Sequence, residues 1–151
     1  MNYEDKALLS YLGKEKGFEW YKKSFAKHDA KKGKFAWSWS FWAFIGGGWY
    51  FIYRRMFVEG VCLLALGVFL ATTYPAMMLS LKISMGGIAP YMLYVRYKNT
   101  KNDVESKYKK EKGRLEALRE RGGYFQPAIY LAVGVYLLAI LFLIYAYVTA
   151  A

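Results

Sequence analysis

The chain has 151 residues, which is room for one compact unit rather than two large domains. It is 56% hydrophobic, 20% aromatic and 22% charged, and these classes stand in separate blocks, as is typical of a membrane protein rather than a soluble domain. The formal charge of +11 would suit nucleic acid. The basic residues flank apolar runs, however, where they set membrane topology and contact anionic lipid, so we expect no nucleic-acid partner.

The first block, residues 1–34, carries nine lysines and five acidic residues. It holds two short apolar clusters separated by glycines, and in the second of them Phe18, Tyr21 and Phe25 recur on one face of a helix. We therefore predict a basic cytoplasmic region of two short amphipathic helices, which lie on the membrane surface or pack on a partner. The block has no apolar core of the kind found in a cleavable signal peptide, so we expect the membrane segments to direct insertion.

The second block, residues 35–55, holds four of the five tryptophans, a triple glycine at 46–48 and a closing pair of arginines. Its run of about 19 apolar residues could just cross a bilayer. Tryptophan prefers the headgroup region, however, and consecutive glycines weaken a helix by roughly 1 kcal/mol each. We predict a re-entrant or in-plane segment that turns at the triple glycine. Its candidate contacts to the membrane interface or to a partner are Trp37, Trp39, Trp42, Trp49, Tyr53, Arg54 and Arg55.

The third block, residues 57–95, contains two apolar runs separated by Pro75 and predicts a transmembrane hairpin. We expect Gly86, Gly87 and Pro90 to kink or break its second helix.

Two ionisable residues lie within this hairpin, Glu59 and Lys82. Ionisable groups inside a membrane are candidates for an ion or proton path. The alternative is structural: Glu59 pairs at the interface with the preceding arginines, and Lys82 extends its ammonium to the far interface. Gly60 and Gly67, one heptad apart, would permit close packing of the first helix.

The last two blocks contrast in polarity. Residues 96–123 form a charged segment that predicts one cytoplasmic helix, closed by a double glycine and packed along a narrow seam on the N-terminal region rather than in a coiled coil. Residues 128–149 carry no charge over 22 positions, about 33 Å of helix, and predict a membrane span. The seam of the charged helix is expected at Tyr97, Val104, Tyr108, Leu115 and Leu118.

Charge selects the topology. If the tryptophan-rich segment dips into the membrane and returns, 21 of the 22 basic residues share one side, which the positive-inside rule favours over a full span. The sequence therefore predicts an all-α integral membrane protein with three transmembrane helices, an aromatic re-entrant or in-plane segment and cytoplasmic amphipathic helices. We expect it in the bacterial inner membrane, with the N-terminus cytoplasmic and the C-terminus external.

Three stretches carry a family resemblance: FAWSWSFWAFIGGGWYFIYRRMF, GGIAPYMLY and LRERGG. In their order, and with the short amphipathic region before them, they resemble the bacterial family catalogued as domain of unknown function 2628. This sequence departs from the family where asparagines are often found, since Ala36, Ser38 and Pro90 stand nearby. The resemblance implies a small membrane protein and no particular activity.

Few residues suggest chemistry. His28 is the single histidine and is expected at the surface, while Cys62 is the single cysteine and lies in an apolar run, so neither a metal site nor a nucleophile–base set is predicted. We expect no cofactor and a non-enzymatic accessory or scaffold subunit that docks on a membrane complex or on itself and contacts anionic lipid of the cytoplasmic leaflet. The alternatives are a small oligomeric transporter or channel and, ranked last, a lipid-modifying enzyme.

Overall fold

The computed structural model describes residues 1–150 as eight α-helices, with no strand in that range, which confirms the all-helical prediction. The helices are α1 (Tyr3–Leu12), α2 (Phe18–Ala30), α3 (Phe41–Gly46), α4 (Gly48–Tyr53), α5 (Phe57–Thr73), α6 (Met77–Lys107), α7 (Glu111–Arg121) and α8 (Pro127–Ala150).

The two predicted amphipathic helices at the N-terminus are present as α1 and α2. Asn2 caps α1 by accepting a hydrogen bond from the Asp5 N–H at 2.9 Å. Gly13 ends the helix in the left-handed conformation, φ 71°, which glycine adopts without a Cβ penalty.

The predicted turn at the triple glycine is also present. The hydroxyl of Ser40 caps α3 by accepting from the Ala43 N–H at 3.2 Å, and α3 ends at Gly46. Gly47, at φ 53°, reverses the chain, and α4 begins at the next residue. Residues 41–53 thus form two short helices rather than one membrane-length helix.

The polar helices pack into one unit, which we call the polar cap: α1, α2, the second half of α6, and α7. The predicted seam with the N-terminal region is confirmed in part: α7 lies against α1, and Tyr97, Val104 and Leu118 are in the shared core, whereas Tyr108 is 42% exposed. The single charged helix predicted over 96–121 is wrong, since Tyr108 adopts an extended conformation between α6 and α7. This break lets α7 fold back and bury its apolar face, which a straight helix would hold away from α1. The shared core includes Ala7, Leu8, Leu12, Phe25, Tyr97, Val104, Ala117 and Leu118.

The apolar helices α5, α8 and the first half of α6 extend from the polar cap with most side chains exposed. Within residues 1–150, α6 and α8 are long and apolar enough to cross a membrane. The prediction of three such helices is corrected to two: α5 ends before Tyr74 and Pro75 with 17 residues, about 26 Å of helix.

The prediction for Gly86, Gly87 and Pro90 was a kink or a break, and the break is wrong, because α6 runs through all three as part of a 31-residue helix. Pro90 has no N–H, so the carbonyl of Gly86, four residues earlier, loses its usual helical partner. The N–H of Ser40 takes that place at 2.9 Å. A residue from the tryptophan-rich segment therefore completes the hydrogen bonding of α6.

Candidate functional site

Residues 35–40, just before α3, form an extended segment along α6 in which exposure alternates with every residue. Ala36, Ser38 and Ser40 face inward and are buried. Phe35, Trp37 and Trp39 face outward and are 42%, 62% and 36% exposed. We call these three residues the aromatic ladder. Alternation of this kind is the geometry of a strand, in which successive side chains point to opposite sides.

Helix α2 holds the inner face of this segment by two buried hydrogen bonds. The N–H of Ala36 donates to Nδ1 of His28 at 3.0 Å, and the hydroxyls of Ser24 and Ser38 are paired at 2.8 Å. A buried polar group left without a partner is costly, so these pairs fix the position of the backbone and hence the direction of the outward rings.

His28 is fully buried, so the prediction that it lies at the surface is wrong. Its ring packs beside Tyr91 and Tyr94, with ring centroids 5.2 and 5.0 Å away. Because Nδ1 accepts the hydrogen bond from Ala36, the imidazole is neutral with its proton on Nε2. Burial lowers the pKa of His28, which favours the same neutral form.

Helix α6 supports the aromatic ladder with glycines. A Cβ added to Gly86 would lie 2.9 Å from the Trp39 indole, and one added to Gly87 would lie 3.1 Å from the Trp37 indole. The two indoles stack on each other, with centroids 6.3 Å apart and an interplanar angle of 28°. The double glycine therefore provides a flat platform for two rings. The glycine pair followed by Pro90 was the sequence signal for this platform.

The remaining predicted tryptophans do not join this stack. Trp42, on α3, is 74% exposed, and its ring centroid lies 6.2 Å from that of Phe41. Trp49, on α4, is half-buried. Exposed aromatic surface thus continues from the aromatic ladder onto α3 through Phe41 and Trp42. We call these five residues, Phe35, Trp37, Trp39, Phe41 and Trp42, the aromatic surface.

Tyr53, the last residue of α4, and Arg55 contact the polar cap or the loops that adjoin it. The Tyr53 ring stacks on Tyr124 at 5.5 Å, and its hydroxyl accepts from Lys14 Nζ at 2.7 Å. Arg55 donates to the carbonyl of Glu120 at 2.7 Å, in the last turn of α7.

Arg54 forms partly buried hydrogen bonds. Its guanidinium donates to the hydroxyl of Tyr21 at 2.7 Å and to the carbonyl of Leu12 at 3.4 Å. The Tyr21 hydroxyl is in turn paired with that of Tyr50 at 2.9 Å. This network joins α1, α2 and α4, so Arg54 fixes where the returning helix meets the polar cap. It had been predicted as an interface or partner contact.

The two ionisable candidates of the hairpin lie apart. Glu59 is 4.0 Å from Arg96 on α6, so its closest ionic partner differs from the expected pair, Arg54 and Arg55. Lys82 precedes Arg96 by fourteen positions in α6, about 21 Å along the helix axis at ~1.5 Å per residue. Side chains that far apart do not share one local site.

No metal centre is formed by the described residues: no group of three or more His, Cys, Asp or Glu side chains lies close enough to hold an ion. Cys62 is exposed on α5 with a free thiol.

Comparison with known families gives one match. The family described as Protein of unknown function (DUF2628) matches residues 12–97. The chain belongs to this family. The matched region spans the last residue of α1 through Tyr97 on α6, and so includes the aromatic ladder, its glycine platform and the α4–α5 contact. The LRERGG stretch, which also carried the resemblance, lies outside the match. No curated protein and no solved structure matches the chain.

Proposed function

We propose that this protein is a non-enzymatic accessory or scaffold subunit of the bacterial inner membrane, which docks on a membrane partner or on a second copy of itself through the aromatic surface. The observation that carries the proposal is the rigid exposure of this surface. Its inner side is held by buried hydrogen bonds, while Trp37 and Trp42 remain 62% and 74% exposed.

The membrane orientation is supported by where apolar surface is exposed. In α8, only 6% of the 18-residue apolar stretch is buried within the protein, and in α6 the corresponding share is 39%. Bare apolar surface of this extent is unfavourable in water and is covered by lipid in a membrane protein. Helix α6 returns beside α5, and the α5 span of about 26 Å is accommodated by slight thinning of a hydrocarbon layer about 30 Å thick.

The dip of residues 35–53 is supported by contacts across the polar cap. Lys101, near the end of α6, pairs with Glu4 of α1 at 2.6 Å, so the parts of the chain before residue 35 and after the α5–α6 hairpin lie on one side of the proposed membrane. With α5 and α6 making two crossings between them, a third full crossing by residues 35–53 would put these parts on opposite sides. This contact supports a segment that enters and leaves on one side, and the positive-inside rule favours the cytoplasmic side.

The depth of the dip follows from its register on α6. Gly87, beneath Trp37, precedes Arg96 by nine positions, or about 14 Å along the axis, which is roughly half of the hydrocarbon thickness. Backbone at such depth needs partners within the protein, and the bond from Ser40 to Gly86 supplies one.

Tryptophan at this depth is unusual, because it prefers the headgroup region. Indoles that are fixed, exposed and placed below that region suit a protein partner, since aromatic residues dominate the energetics of protein interfaces. Their fixed positions also reduce the entropy lost on binding. A partner helix within the membrane would cover the aromatic surface from the side.

The proposal is tested by purifying the full chain in mild detergent and measuring its mass and subunit ratio. We expect a homo-oligomer or a stoichiometric membrane partner, lost in Trp42→Ala and in Trp37→Ala. The control is Trp20→Ala, because Trp20 is 38% exposed on α2 of the polar cap, away from the aromatic surface. A monomer without a stoichiometric partner, or equal loss of the partner in the control variant, would contradict the proposal.

A further inference from the structure

A groove of about 400 Å³ opens between α5 and α6, where the apolar part of α6 meets its charged part. Two side chains of opposite charge line it, Glu59 and Arg96, each about one third exposed. Their closest atoms, Oε2 and Nη1, are 4.0 Å apart, whereas a direct ionic hydrogen bond is about 2.8 Å long. Both groups therefore keep hydrogen-bonding capacity for a ligand that carries a cation and an anion side by side.

The lining of the groove changes character along α6. Met92 and Val95 come before Arg96, and Asn99 and Thr100 follow it by about one turn. Met56 is also apolar and 2% exposed. In the orientation proposed above, the apolar end of the groove faces the hydrocarbon and the polar end faces the cytoplasmic surface. The apolar and polar ends of the groove thus follow the same order as the acyl chains and the headgroup of a phospholipid in the membrane.

We propose that this groove is a binding site for a phospholipid with a primary-amine headgroup, such as phosphatidylethanolamine. The phosphate binds Arg96, whose planar guanidinium suits phosphate oxygens, and the ammonium binds Glu59. The acyl chains lie along the apolar end of the groove. The inference rests on the proposed function only through the membrane orientation, and it does not depend on a protein partner.

Charge complementarity separates this occupant from other lipids. An anionic glycerol headgroup offers no cation to Glu59 and brings a phosphate near its carboxylate. A choline headgroup is a cation, but its quaternary nitrogen has no N–H to donate. Only a headgroup with both a phosphate and an N–H-bearing cation satisfies Glu59 and Arg96 together.

The test is a lipid-binding measurement on the full chain in nanodiscs, followed by native mass spectrometry. The nanodiscs contain equal amounts of phosphatidylethanolamine, phosphatidylglycerol and phosphatidylcholine, and free phosphoethanolamine is added in a separate arm. We expect preferential retention of phosphatidylethanolamine by the unmodified protein. Arg96→Gln lowers its retention by roughly ten- to a hundredfold, the range for losing hydrogen bonds to a charged group. Glu59→Gln removes the preference over phosphatidylglycerol.

The control variant is Lys98→Gln, which removes a basic charge from the same helix. Lys98 pairs with Asp29 at 2.9 Å and does not line the groove. Equal retention of the three lipids by the unmodified protein would overturn the inference, as would loss of the preference in Lys98→Gln to the same degree as in Arg96→Gln. Binding of free phosphoethanolamine as tight as that of the lipid would assign the groove to a soluble ligand instead. Incorporation into nanodiscs is scored separately, so that a failure of the membrane orientation is distinguished from a failure of the groove.

Discussion

Gly48 and Gly60 bring the backbones of α4 and α5 into direct contact, and replacing either with alanine tests that packing. A Cβ on Gly48 would lie 2.7 Å from Leu64 Cγ and 2.8 Å from the carbonyl oxygen of Gly60. A Cβ on Gly60 would lie 2.9 Å from the carbonyl oxygen of Gly48. Because the obstacles include backbone atoms, rotation of a side chain cannot relieve them, and α4 must move away from α5.

The magnitude follows from two opposing effects. Overpacking costs about 1–3 kcal/mol, and a clash with backbone belongs in the upper part of that range. Alanine in place of glycine returns about 0.5–1 kcal/mol of helix stability. We therefore expect Gly48→Ala to lower the free energy of unfolding by about 1–2 kcal/mol, or roughly 2–8 °C in Tm for a chain of this size.

Gly67 on α5 supplies the matched control, since a Cβ there would meet no atom within 4 Å. Gly67→Ala should stabilise the protein by about 0.5–1 kcal/mol, so the two substitutions have opposite signs. The assay is thermal unfolding in mild detergent, followed by tryptophan fluorescence and by circular dichroism. If Gly48→Ala and Gly67→Ala shift Tm in the same direction by similar amounts, the close approach of α4 and α5 is refuted.

Three further predictions concern buried polar groups. Pro90→Ala restores an N–H that competes for the carbonyl bound by Ser40, so the backbone amide of Ser40 should exchange faster in hydrogen–deuterium exchange although α6 gains helix propensity. His28 has a lowered pKa in the folded protein, so the unfolded chain, titrating near 6.5, takes up the proton first. Tm should be constant above about pH 6.5 and fall below it, and His28→Asn, which keeps an acceptor for Ala36, should flatten that dependence. Lys101→Met removes a cation that is 9% exposed and pairs with two carboxylates. It should lower the free energy of unfolding measurably more than Lys98→Met, and a denaturant titration of both variants measures the difference.

The features that the sequence predicted correctly have local causes. Glycines mark the C-terminal end of α1 and the reversal at Gly47, and the recurrence of apolar residues marks the seam that α7 presents to α1. Each of these signals lies within a few residues of the structure it specifies, so it can be read without knowledge of the fold.

The features that the sequence analysis missed depend on residues far apart in the chain. His28 stands among charged residues of α2, and its burial arises because the segment 35–40 and α6 close over it. Pro90 and the preceding glycines are ordinary signs of a broken helix. The helix continues through them because the N–H of Ser40, fifty residues from Pro90, donates to the Gly86 carbonyl that Pro90 leaves without a helical partner. Arg54 looked like a membrane-interface residue because the Tyr21 hydroxyl that it binds is also distant in sequence.

The central claim is that residues 35–53 enter and leave the membrane on the cytoplasmic side, presenting the aromatic surface within it. The most direct test is the accessibility of single cysteines at positions 31, 110 and 149 in a Cys62→Ala background, where Lys31, Lys110 and Thr149 are all exposed. With a membrane-impermeant thiol reagent, positions 31 and 110 should both be labelled only from the cytoplasmic side and position 149 only from outside. Labelling of positions 31 and 110 from opposite sides would contradict the claim, because it would require residues 35–53 to cross the membrane completely.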